Sequence, residues 1–137
     1  MTVSLVTGAG SGIGAATAAL LAARGDRVVC ADIDEGSAST VAAGLPDALA
    51  VPVDVTDEAS CDAMVATTIG HYGDLDAVVA CAGIEIGGPT MDFDIATFRR
   101  ILDVNLTGSF LTAQRAARAM RDKGHGGSIV LIGSINS

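Results

Sequence analysis

Positive charge is scarce in this chain. Eight Lys and Arg stand against sixteen Asp and Glu, a net charge of −8. No basic stripe exists to neutralise phosphates, which excludes a nucleic-acid partner. Cysteine is scarce too. Cys30, Cys61 and Cys81 are an odd count at wide spacing, with no Cys-x-x-Cys and no zinc pattern. Small buried thiols and a reducing cytoplasm are the expectation. No apolar run reaches the ~20 residues of a membrane span. The start, Met1-Thr2-Val3-Ser4-Leu5, lacks the basic flank and cleavage site of a signal peptide. Aromatic residues are few: there is no Trp, and Tyr72 is the one Tyr. Lys123 is the one Lys. Disorder is excluded from the other side, because 50% of the residues are apolar and 18% charged. A length of 137 residues allows one domain or part of one.

Glycine is plentiful, at 17 residues, and it falls between apolar segments where a chain turns. Five short runs are continuously apolar: Val3 to Val6, Val28 to Ala31, Leu49 to Val53, Ala77 to Cys81 and Ile129 to Ile132. Strands buried on both faces of a parallel sheet read this way. Between them the spacing is helical. Ile13, Ala16, Thr17, Leu20 and Leu21 form one stripe, and Cys61, Met64, Val65, Thr68 and Ile69 a second. Leu106, Phe110, Ala113, Ala117 and Met120 form a third. Gly25 and Gly70 are expected at helix C-terminal ends, and Thr56-Asp57-Glu58 as a capped, acidic helix start. Asp34 and Glu35 are expected to open another helix. Strands alternating with helices imply α/β architecture: a Rossmann-type, doubly wound parallel sheet with helices on both faces. Ligands of such sheets bind beyond the strands' C-terminal ends. The longest irregular stretch, Gly83 to Phe93, follows one such end.

The first strand runs into Thr7-Gly8-Ala9-Gly10-Ser11-Gly12-Ile13-Gly14. A glycine-rich turn feeding a helix lets backbone N–H groups approach a pyrophosphate, where the helix N-terminus adds positive partial charge. Asp32 ends the second strand, 18 residues after Gly14. A carboxylate there accepts hydrogen bonds from an adenosine ribose and repels a 2′-phosphate. No Arg or Lys follows closely to offset it, which favours NAD over NADP. A methyltransferase binding S-adenosylmethionine uses a similar turn and acid, and the first 32 residues do not separate the two.

The later residues do. Thr7 with Gly8, Gly12 and Gly14 resembles the Thr-Gly-x-x-x-Gly-x-Gly motif of short-chain dehydrogenases/reductases. Asp54-Val55 resembles that family's adenine-contacting pair, and Ala80-Cys81-Ala82-Gly83 its Asn-Asn-Ala-Gly element. Val104-Asn105-Leu106-Thr107-Gly108 is similar to the segment carrying the catalytic Asn. Gly127 to Ser134 is similar to the strand-five motif, which aligns Ser134 with the catalytic Ser. The resemblance spans the whole chain. It implies NAD held by Gly8, Ser11, Gly12, Ile13, Gly14, Asp32, Asp54, Val55, Ala82 and Gly83. It implies Ser134 polarising a carbonyl and Asn105 holding a water in a proton relay. The implied reaction interconverts a secondary alcohol and a ketone of a small-molecule substrate by hydride transfer. The implied assembly is a homotetramer.

Two positions depart from the family pattern: Cys81 stands where Asn is common, and Phe98 where Trp is common. The family's Tyr-x-x-x-Lys pair, in which the cation lowers the phenol pKa for acid/base work, falls beyond Ser137. Tyr72 is followed four residues on by Asp76, and Lys123 reads as a partner for a helix C-terminus. The expectation is therefore a single NAD-binding domain over residues 1–137, truncated at its C-terminal end and holding five of the family's seven strands. Strand five would be an exposed edge, and the chain would be inactive alone. An alternative is a non-catalytic NAD-binding module.

Overall fold

The computed structural model describes residues 1–134, so Ile135, Asn136 and Ser137 lie outside it. The chain alternates β1 (Val3–Thr7), α1 (Gly12–Ala23), β2 (Arg27–Asp32), α2 (Glu35–Ala43), β3 (Ala48–Pro52), α3 (Glu58–Tyr72) and β4 (Ala77–Ala80). After a short 3-10 turn, Thr90–Asp92, come α4 (Ile95–Leu102), a π-helical turn (Asp103–Gly108), α5 (Ser109–Asp122) and β5 (Ser128–Leu131). All strand pairs are parallel and the order is β3-β2-β1-β4-β5. The five apolar runs are these five strands. No helix among the described residues is long and apolar enough to cross a membrane.

Period-two alternation splits the core. Leu5, Val29, Ala31 and Val51 face α3 and α5, packing with Cys61, Met64, Leu111 and Met120. Val6, Val28 and Cys30 face α1 and α2, packing with Ala18, Ala22, Ala38 and Ala42. The second layer is built almost wholly of alanine, so its helices lie close to the sheet. Asp34, Asp57 and Asp94 cap α2, α3 and α4, accepting from the backbone N–H of Ser37, Ser60 and Thr97.

Several expectations change. The α3 stripe packs inward as its spacing predicts. The α1 stripe does not: Ile13 and Leu20 are 64% and 69% exposed, and the buried face is Gly14, Ala18 and Ala22. Close approach to the sheet admits only small side chains there, so the large residues turn out. In α5 the buried residues are Leu111, Thr112, Arg115, Ala116 and Met120, while Leu106 and Phe110 face outward. A stripe phased from Leu106 starts inside the π-helical turn, and the extra residue of such a turn shifts the face that follows. Gly73, left-handed at φ 83°, ends α3, and Gly70 lies within the helix. The edge strand β5 is exposed along its length, which departs from the burial on both faces read from its apolar run and is the exposed edge expected of strand five. Cys30 and Cys61 are buried, and burial pushes both thiols up to about 11; Cys81 is half-buried.

The N-terminal edge of the sheet is tied by side chains. Ser4 Oγ donates to Asp26 at 2.7 Å, and the Val3 N–H to Asp76 at 2.8 Å. Arg115, 8% exposed, pairs from α5 with Glu58 and Asp62 of α3. His125 lies 2.7 Å from the Gly126 carbonyl through Nδ1 and 2.7 Å from Asp74 through Nε2. Both partners only accept, so the protonated ring is the form that satisfies both contacts. The Gly126 carbonyl first, then the Asp74 carboxylate, hold its pKa above the ordinary value.

This clamp has a defined pH dependence. With a raised folded-state pKa, its contribution is complete below the unfolded value of about 6.5 and is lost as pH rises through the folded value. The thermal midpoint of the wild type should therefore exceed that of His125→Gln at pH 6, with the gap closing as pH rises from there. A gap independent of pH would contradict the charged clamp.

Candidate functional site

The chain steps from β1 outward to β3, then returns to place β4 on the other side of β1. The connections diverge at that point and leave a crevice beyond the strand ends. A cleft of about 400 Å³ occupies it. Its lining contains all ten residues predicted to hold a cofactor: Gly8, Ser11, Gly12, Ile13, Gly14, Asp32, Asp54, Val55, Ala82 and Gly83. Four turns and strand ends, separated in sequence, meet there.

The floor is the start of α1. A Cβ on Gly14 would stand 2.0 Å from the Gly8 carbonyl oxygen, so the helix can begin this close to the turn only with glycine at that position. Gly12, at φ 51°, has nothing within 4 Å of where a Cβ would lie, so the helix end opens into the cleft. Ser11, the N-cap, makes no side-chain capping bond, and the first turn of α1 has no acid. The aspartate that caps α2, α3 and α4 has no counterpart here. The first N–H groups of α1 therefore face the cleft with their positive partial charge uncompensated.

Asp32 forms one wall. Its Oδ2 accepts from the Gly10 N–H at 2.8 Å and its Oδ1 from the Asp34 N–H at 3.0 Å, which fixes the carboxylate against the glycine turn. Asp54 accepts at Oδ1 from the Thr56 hydroxyl at 2.7 Å and the Thr56 N–H at 2.9 Å. These two bonds, the hydroxyl first, hold its pKa below the usual carboxylate value. Asp54 is thus a fixed anion at neutral pH. Cys81 lines the cleft too.

Asn105 sits in the π-helical turn and stands beside the lining rather than in it. Its Oδ1 accepts from the Ile84 N–H at 2.8 Å, and its Nδ2 donates to the Ile84 carbonyl at 2.9 Å. The amide mimics a strand partner and pins the start of the Gly83–Phe93 stretch to the helix. Gly108, at the far end of the same turn, lies against Val55, where a Cβ would meet Cγ2 at 2.6 Å. Ser134 follows β5. The register, Ala80 opposite Leu131, carries it toward the same edge of the sheet as Gly83. Tyr72 and Lys123 lie at the opposite edge. The Tyr72 hydroxyl donates to Asp47 at 3.0 Å, and burial followed by that bond pushes its pKa up to about 12. Lys123 Nζ donates to the Gly73 carbonyl, so the C-terminus it neutralises is that of α3 rather than of its own helix.

The sequence reading missed Ile33, Val53, Ile84, Arg100 and Val104 in the lining. Ile33, Val53 and Ile84 each adjoin a predicted site residue, which was the available signal. Arg100 stands on α4 and Val104 four residues on, in the π-helical turn just before Asn105.

The sequence profile of the short chain dehydrogenase family matches residues 2–137. The chain belongs to the short-chain dehydrogenase/reductase family. It is 47% identical, over 97% of its length, to cis-4-hydroxycyclohexanecarboxylate dehydrogenase of Sinomonas cyclohexanicum, of which it covers 55%. It is 40% identical, again over 97% of its length, to a 3-alpha-(or 20-beta)-hydroxysteroid dehydrogenase of Mycobacterium bovis, of which it covers 51%. A crystal structure of a short-chain type dehydrogenase/reductase from Mycobacterium marinum superposes with a TM-score of 0.95 at 38% identity, covering 98% of this chain and 56% of that one. The chain thus spans about half the length of the curated relatives it matches. The five parallel strands and flanking helices are the Rossmann-like fold of this family.

Two substitutions test the site's construction. Gly14→Ala should destabilise the protein by about 2 kcal/mol, although alanine is the better helix former, because the added methyl overlaps the Gly8 carbonyl. A denaturant midpoint equal to or above wild type would refute that overlap. Asn105→Ala should accelerate native-state exchange of the Ile84 amide about tenfold, and unchanged protection would refute the pinning.

Proposed function

We propose that this chain is the cofactor-binding part of an NAD-dependent oxidoreductase that interconverts a secondary alcohol and a ketone. The uncapped N-terminus of α1, opening into the cleft beside Asp32, carries the reading. Its free N–H groups and partial positive charge suit a pyrophosphate. The Asp32 carboxylate suits a ribose diol and opposes a 2′-phosphate, so NAD is favoured over NADP. Asp54 and Val55 would border the adenine, and Ala82 and Gly83 the ribose beyond. Bound NAD would supply the hydride acceptor.

Within this chain Asn105 and Ser134 are the residues assigned to the reaction. Asn105 keeps one lone pair and one N–H beyond its two bonds to Ile84, enough to orient a relay water while pinning the loop. Ser134 would donate to the substrate oxygen. The Tyr and Lys that complete the family's acid/base set are assigned to the full-length protein outside these residues. The hydroxylated rings in the names of the two dehydrogenases above support a hydroxylated small molecule as substrate. The loop from Ile84 to Asp94 would form part of its wall. The outward-turned Phe98, Leu102, Leu106 and Phe110 support homotetramer assembly of the full-length protein through this helix.

Titration of the full-length protein with NADH, NADPH and S-adenosylmethionine tests the reading. NADH should bind at least about tenfold more tightly than NADPH. Asp32→Asn keeps an acceptor oxygen for Gly10 but removes the charge, and should narrow that ratio. Preference for S-adenosylmethionine, or equal affinity for the two nicotinamide cofactors, would refute it.

A further inference from the structure

We propose that Arg100 is a cofactor-anchoring residue, supplying the cationic side chain that faces the dinucleotide's phosphates from the wall opposite α1. This inference rests on the dinucleotide reading of the cleft.

Arg100, on α4, and Val104, in the π-helical turn that follows, both line the cleft. Val104 also packs against the core layer of α3 and α5. That packing seats the π-helical turn, and with it the end of α4, beside the cleft, where the exposed Arg100 side chain is part of the lining. The guanidinium makes no hydrogen bond and no ion pair with any described residue. Arg115, Arg121 and Arg27 are each paired with a carboxylate, whereas Arg24, Arg99 and Arg118 are, like Arg100, without an ion pair among the described residues; what distinguishes Arg100 is its place in the cleft lining. Arg100 is also the only Lys or Arg in the lining, where it accompanies the carboxylates of Asp32 and Asp54. Without it, two fixed anions of a chain carrying a net charge of −8 would face a dianionic pyrophosphate with only helix amides for compensation. An unpaired guanidinium held at this wall offsets one of those charges and offers a planar fork suited to phosphate oxygens.

Arg99, its neighbour, is absent from the lining and provides a control of identical charge. In the full-length protein, Arg100→Gln should weaken NADH and ADP-ribose about fivefold, an exposed-pair magnitude. Competition by adenosine, which has no phosphate, should be unchanged. The salt dependence of NADH binding should become shallower. Arg100→Lys should recover part of the loss, and Arg99→Gln should bind as wild type. Unchanged NADH affinity in Arg100→Gln overturns the assignment. So does an equal loss in Arg99→Gln, or a parallel loss of adenosine. A wild type that binds neither NADH nor ADP-ribose overturns the dinucleotide reading itself, and this inference with it.

Discussion

The contact on which the site depends is the approach of α1 to the turn that precedes it. The Gly14 position lies so near the Gly8 carbonyl that any side chain would overlap it. This closeness has two effects. It requires small residues along the inner face of α1, which is why Gly14, Ala18 and Ala22 are buried while Ile13 and Leu20 are not. It also brings the helix start level with the ends of β1 and β2, where Asp32 can accept the Gly10 N–H. The turn is then held at both ends by the protein itself. Its remaining N–H groups are left for a ligand without having to be reorganised when one arrives.

The second half of the cleft is built by a different device. The π-helical turn disturbs the regular ladder where Asn105 must reach sideways to Ile84. A regular helix would direct the next face differently, and Gly108 could not meet Val55 as it does. One local irregularity therefore links three cleft segments: the end of β3, the stretch after β4 and the helix that carries Arg100. Such π-bulges are rare and are concentrated at functional sites.

The strands and the cleft were legible in the sequence because each depends on short-range pattern. Continuous apolar runs mark strands, and glycines at fixed spacing mark a turn. Asp32 and Asp54 follow directly on two of those runs. What was not legible depends on tertiary distance. The inner face of α1 is chosen by how close the helix lies to the sheet, which no hydrophobic count reports. The phase of α5 is set by a π turn whose presence is known only once Asn105 has found Ile84. Arg100 was overlooked for the same reason: a cation on an amphipathic helix reads as solvated until the placement of that helix is known. Glycine usually stops a helix, yet Gly70 lies within α3, and the left-handed Gly73 three residues on completes the cap.

The two edges of the sheet divide the work of stability and binding. At the N-terminal edge polar side chains are paired: Ser4 with Asp26, Asp76 with the Val3 amide, Tyr72 with Asp47, His125 with Asp74. Nearly every strand start is tied to a neighbour by one of these bonds or by its flanking backbone. At the C-terminal edge the polar groups are fixed but not satisfied. Asp32 and Asp54 are held by backbone and hydroxyl donors that leave their charge in place. The α1 amides are uncapped, and Arg100 is unpaired among the described residues. Groups oriented but left electrostatically unmatched lower folded stability slightly and raise affinity for whatever ligand matches them. The paired edge supplies the rigidity that keeps the unmatched edge in position, so pairing at one end of the sheet is a condition for binding at the other.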